Sequence, residues 1–273
     1  MVGNKTNWKV TTLLILGTIV ILFPLYLTVI IAFKTPEEMS GNLLALPKSW
    51  SFDNFITAIE VTNFFQAFFN SFIVTVLSVV LAIFLHSLVA YAIARNMHKK
   101  FYRFLYFYFI SAMFVPFPII MLPIVKQTSI LGMDNLVGLA FLTVVMHLAF
   151  NVFIYVGYVK TIPIALEEAA TIDGASTWTT FWKVVFPLMK PMHATVGILT
   201  ALAAWNDFML PLIVLSDESQ YTLPLVQYAF QGEFSTDYNL AFASYLLAIL
   251  PMVIVYLFAQ KWIIGGVMRG SVK

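Results

Sequence analysis

The sequence predicts an all-α, polytopic membrane protein of six transmembrane helices with its N- and C-termini in the cytoplasm. Three observations carry that prediction. Of 273 residues, 61% are hydrophobic and 10% charged, against roughly 45–50% apolar and about 25% charged in a soluble domain. Apolar stretches near the bilayer-crossing length of about 20 residues recur six times. The cations fall on alternate sides of those stretches along the whole chain.

Val10–Phe33 opens the series. Lys5 and Lys9 precede it as they would in a secretion signal, but the run is too long for a signal's apolar core and no small-x-small cleavage site follows. It reads as an uncleaved first span. Ser71–Ala94, Phe104–Val125, Leu136–Val159, Met192–Leu215 and Ala241–Ala259 supply the other five. Pro116, Pro118 and Pro123 in the third span predict a kinked helix, its freed carbonyls facing other helices or a wet cavity. Trp8, Trp50 and Trp262 read as interfacial anchors.

Orientation follows from the side on which Lys and Arg collect. Twelve of the fifteen lie on one face: Lys5, Lys9, Arg95, Lys99, Lys100, Arg103, Lys160, Lys183, Lys190, Lys261, Arg269 and Lys273. Lys34, Lys48 and Lys126 lie on the other, with nine of the thirteen acids. The first face is therefore assigned to the cytoplasm. Outside lie Lys34 to Asn70, Gln127 to Asn135 and the acidic stretch Ser216 to Leu240; inside lies one long loop, 160–191. The whole chain, 1–273, is expected to form a single transmembrane domain carrying that loop.

Other classes are disfavoured by composition and motif. The chain has no cysteine and a formal charge of only +2, which excludes thiol chemistry and gives no footing for nucleic acid. It lacks GxxxxGK[ST], HExxH and GxSxG, so it offers no ATP-binding phosphate loop and no catalytic residues. His86 and His147 fall inside spans without partners at metal-ligand spacing and read as polar packing. No metal and no cofactor are expected on this chain.

The cytoplasmic loop parses as two short helices about a glycine. Pro163 suits a first helical turn, and Glu167 and Glu168 favour its positive end. Ala165, Ala169 and Ile172 recur at i, i+4 and i+7, giving a narrow face of small residues. Gly174 permits a sharp turn. Trp178, Phe181, Trp182 and Val185 then form a wide apolar stripe that Pro187 ends. A partner's groove, the inner ends of the spans or the membrane surface could each cover that stripe.

Glu168-Ala169-Ala170, three residues, Gly174, then Phe181 and Pro187, resembles the cytoplasmic loop signature of binding-protein-dependent ABC importer permeases. Ile172 to Ser176 (IDGAS) and Pro191 resemble its carbohydrate branch; Val184 and Phe186 depart from the family's usual Ile and Leu. Asn70-Ser71, the Pro116 to Pro123 cluster, Trp205-Asn206 and the tail Met268 to Lys273 are similar to the smaller permease subunit of maltose importers and of multiple-sugar and raffinose importers. The resemblance implies a multi-pass subunit in a bacterial cell membrane, paired with a second permease, an extracytoplasmic sugar-binding protein and a cytoplasmic ATPase dimer that holds ATP and Mg. It implies that Ala165 to Ala175 is a coupling helix, with Glu168 its charged contact, Ala169 and Ala170 allowing close approach, Gly174 setting the turn and Pro187 closing the motif. The expected function is oligosaccharide import, with hydrolysis by the partner. The alternatives are an ion-coupled carrier and an ABC permease for a non-sugar solute.

Asp207 is the one acid that the apolar pattern places inside a span, where an ionised carboxylate costs about 2.5–3.5 kcal/mol on insertion scales. With Trp205, Asn206 and Phe208 it makes a cluster able to stack on a sugar ring and bond its hydroxyls. A structural hydrogen bond between helices accounts for it equally.

Overall fold

The computed structural model describes residues 7–230 and 237–271, with side chains of the last helix described to Leu257. Expectations resting on Lys5, Glu233, Lys273 and the side chains of Lys261, Trp262, Met268 and Arg269 lie outside the described residues. Among the described residues there is no strand. The helices are α1 (Trp8–Ala32), α2 (Pro36–Met39), α3 (Asp53–Val61), α4 (Phe64–Arg95), α5 (Lys100–Phe114), α6 (Phe117–Leu131), α7 (Leu136–Val159), α8 (Ala165–Ile172), α9 (Thr177–Leu188), α10 (Lys190–Asn206), α11 (Met209–Val214), α12 (Leu223–Gln227) and α13 (Tyr238–Ser271). They divide between two compact units, the N-terminal segment to Phe65 with Val226–Pro251, and Gln66–Leu225 with the segment from Met252.

In the first unit, Asn7 caps α1 by accepting the Val10 N–H. Thr12, Thr18 and Thr28 donate to carbonyls four residues back, which pairs these hydroxyls within the helix among lipid-length apolar residues. Lys34 follows and is only 1% exposed. Its Nζ donates to the carbonyls of Asn42 and Leu43, at 2.9 Å each. Thr35 and Glu38 form a reciprocal capping box on α2. Glu38 also accepts the Lys48 amide at 2.7 Å, and these backbone donors hold its carboxyl below the ordinary range.

In the second unit, the fourth span runs over the residues the apolar pattern assigns it, Leu136–Val159. Asn135 starts it by accepting the N–H groups of Val137 and Gly138. A Cβ at Gly138 would lie 2.0 Å from the Met133 carbonyl oxygen, so only glycine fits there. The second span begins earlier than expected, at Phe64, after Asn63 turns the chain with φ 46°. It continues to Arg95 through one wide turn at Ala82–His86. Ser78 ties it to α7 through a hydroxyl donated to the Ala140 carbonyl.

The third span departs from the expected kink. α5 and α6 meet at 104°, with Val115 and Pro116 extended between them. A residue before proline is pushed out of helical geometry, and neither Pro116 nor Pro118 brings an N–H to the ladder. Two such positions break the helix, whereas Pro123 alone is carried within α6. The fifth span is also interrupted, because α10 ends at Asn206 and Asp207 is extended. α1, α4, α7 and α13 to Leu257 are each long and apolar enough to cross a membrane alone, and the described helices reach six spans when the bent pairs α5 with α6 and α9 with α10 are each counted as one.

Candidate functional site

The loop 160–191 folds as its spacing predicts, as two helices about Gly174. α8 ends where the chain reverses with Gly174 at φ +83°, a conformation that costs an L-residue roughly 1–2 kcal/mol. Ser176 then caps α9 by accepting the Thr179 N–H. Pro163 lies just before α8, its carbonyl accepting the Leu166 N–H.

The two helices are held differently. Phe181 and Val185 of α9, 1% and 0% exposed, join a core with Ile93, Val152, Val156, Val159, Met189 and Val196. Trp182 and Phe186 pack on the same core, and the Phe186 ring stacks on Phe84 at 5.6 Å. The expected apolar stripe is therefore split, because Trp178 at its start remains 62% exposed. Pro187 does not end the helix. α9 widens at Phe181–Val185, where the Phe186 N–H reaches back five residues to Phe181, and it runs past Pro187 to Leu188. The break falls at Met189, before α10 departs at 75°.

α8 has no buried residue. It is fastened by Glu167, whose Oε1 accepts from Arg95 at 2.6 Å (Nη2) and 2.8 Å (Nε), and whose Oε2 accepts the Tyr91 hydroxyl at 2.8 Å. Arg95 Nη2 also donates to the Ile162 carbonyl at 3.0 Å. Arg95 and Tyr91 stand on α4, so the end of the second span grips the root of the loop and its helix at once. Glu168, Ala169 and Gly174 are exposed, Ala170 half-buried, and Ile172 is 86% exposed. The resemblance nominates Glu168, and the sequence reads Glu167 only as an acid at the helix start; its pairing with Arg95 and Tyr91 has no local sign, since it spans 72 to 76 residues of sequence.

The residues nominated for a sugar path are not drawn together. Trp205 is buried, its ring edge-on to Phe68 at 5.7 Å. Asn206 is exposed and donates to the Leu202 carbonyl. Asp207 stands between α10 and α11, not within a helix, and accepts the Leu210 N–H at 3.2 Å. It thus starts α11 as a cap does.

Polar side chains buried in the second unit form two clusters. Asn151 is 3.1 Å from both His86 Nδ1 and the Thr200 hydroxyl, and Tyr155 is 2.8 Å from His193 Nδ1, whose other nitrogen is 3.0 Å from the Phe186 carbonyl. His193 is buried in this network. His147 bonds the Thr143 carbonyl on its own helix. Among the described residues no three His, Asp or Glu gather where they could hold a metal ion. On the same unit, Asn70 donates to the carbonyls of Ser219 and Tyr221, and Ser71 accepts the Leu223 N–H, which pins the segment before α12 to the start of the second span.

Known proteins share both sequence and shape with this chain. The family described as "Binding-protein-dependent transport system inner membrane component" matches residues 86–269. The multiple sugar-binding transport system permease protein MsmG of Streptococcus mutans is 44% identical over 271 residues, covering 97% of this chain and 96% of that protein. The probable starch degradation products transport system permease protein AmyC of Thermoanaerobacterium thermosulfurigenes is 36% identical, covering 92% and 91%. A chain of a bacterial ABC transporter that imports the acidic polysaccharide alginate superposes with a TM-score of 0.79 at 23% identity, over 93% of this chain and 95% of that one.

Proposed function

Because the chain belongs to the family of inner membrane components of binding-protein-dependent transport systems, we propose that it is the permease subunit of an ATP-driven sugar importer. Oligosaccharides are the substrate class, in keeping with the transport systems for which its relatives are named. It supplies half of a translocation path with a second permease, receives sugar from an extracytoplasmic binding protein, and is driven by a separate cytoplasmic ATPase dimer. Residues 1–273 act as one permease domain, with both termini and loop 160–191 in the cytoplasm, as the placement of twelve of fifteen cations favours.

One observation carries the coupling role: α8 is held by Glu167 and turns Glu168, Ala169 and Ile172 away from its own chain, beside the tight turn at Gly174. Small residues and one free carboxylate on a projecting helix suit a cleft in a partner. ATP-driven closure of that partner then moves α8, and α9 carries the displacement into the core through Phe181 and Val185. Pro187 sits in the last turn of α9, ahead of the bend into α10. Trp205, Asn206 and Asp207 are proposed contacts on the sugar path, with Asp207 free to exchange its backbone bond for a sugar hydroxyl.

The test is uptake of a radiolabelled oligosaccharide panel in cells with and without the ATPase. Uptake that stops with the ATPase and fails with Glu168→Arg, at unchanged subunit level in the membrane, supports the reading. Uptake that persists on an ion gradient alone would establish an ion-coupled carrier instead.

A further inference from the structure

We propose that Arg95 and Glu167 form an azimuthal clamp, which sets the rotational position of α8 about its own axis and thereby determines which residues face the ATPase. The inference rests on the reading of α8 as the docking helix.

Successive helical residues step by about 100°. With Glu167 turned inward as zero, Glu168 lies at about 100°, Ile172 about 140°, Ala165 about 160° and Ala169 about 200°. All four are exposed. The small-residue face is therefore opposite the one anchored side chain. Apolar packing competes little for control of that angle, because α8 has no fully buried residue and, of its apolar side chains, only Ala170 is half-buried. Both Glu167 oxygens are occupied, one by the guanidinium and the other by Tyr91, and the pair is only 13% and 15% exposed. A partly buried, charge-assisted pair with several donors is geometrically specific in a way that an exposed pair is not. Arg95 reaches the Ile162 carbonyl with the same group, so the clamp also ties the turn leading into the loop to α4. Arg95 and Glu167 are positioning residues: they act through Glu168 and its neighbours.

The experiment uses the complete importer, with its ATPase, second permease and binding protein, in proteoliposomes. It reads sugar transported per ATP hydrolysed, together with retention of the ATPase during purification. Arg95→Ala and Glu167→Gln should each lower the transport-to-hydrolysis ratio about tenfold, within the range typical of coupling between sites. The reversed pair R95E with E167R should recover most of that ratio. Tyr91→Phe should lower it less than either. Full coupling in Arg95→Ala would overturn the clamp, as would loss of assembly in the singles that the reversed pair does not rescue. Glu168→Arg separates the two readings: if it leaves ATPase retention and transport intact, the docking role of α8 fails; if it abolishes both while Arg95→Ala is fully coupled, only the clamp fails.

Discussion

The two halves of one loop are secured in opposite ways. α9 sinks Phe181 and Val185 into a core shared with α4, α7 and α10, so many weak contacts hold it and no single one decides its position. α8 buries no side chain and hangs on one carboxylate. Apolar burial is strong and non-directional, at about 25 cal/mol per Å²; a charge-assisted bond is weaker in sum and specific in angle. On the proposed coupling role, the helix that presents a face to the ATPase is the one placed by the directional contact, and the helix that passes force to the bundle is the one placed by the area.

The largest effect that would test this contrast is on the α9 side. Phe181→Ala should destabilise the subunit by about 3–5 kcal/mol, the usual cost of emptying an aromatic site in a core, seen as loss of full-length protein from the membrane. Equal abundance of wild type and variant would mean that α9 is not held by burial. Next is Glu168→Arg, which should abolish uptake while abundance stays the same, since the side chain is exposed and folding does not use it. Gly174→Ala forces an L-residue to φ +83°, at a cost of order 1–3 kcal/mol, and should weaken ATPase retention without emptying the membrane. A melting temperature unchanged from wild type would show that the turn relaxes. Trp178→Ala should leave stability within about 0.5 kcal/mol, as for other exposed positions, yet weaken binding of the ATPase if its ring belongs to the docking surface. The smallest effect is expected of Asp207→Asn, whose amide oxygen still accepts the Leu210 N–H. Its measure is the concentration dependence of uptake, and an unaltered substrate profile would return Asp207 to a purely capping role.

The apolar pattern located the helices well where one cause acts alone. Leu136–Val159 is bounded by an Asn cap and the end of the apolar run, both local, and reading and structure coincide. It did less well where several local causes compete. Pro116 and Pro118 together break a span that each alone would bend, and Asp207, placed mid-span by hydropathy, terminates a helix and starts the next. Around the loop, Glu168, Ala169, Ala170 and Gly174 were nominated by resemblance to the family's signature, and the structure leaves all but the half-buried Ala170 exposed. Arg95 looked like any cation at the inner end of a span, because nothing near it in sequence announces a carboxylate 72 residues away.

Composition and the recurrence of apolar runs determined that this chain lives in a membrane and which stretches can cross it, because the cost of placing charge in hydrocarbon is settled residue by residue. The tertiary structure alone decided that Glu167 turns inward and Glu168 outward, and that the stripe from Trp178 to Val185 is half core and half surface. Adjacent residues of the same type differ only in the side of the helix they occupy, and which side meets a neighbour is decided by chain distant in sequence.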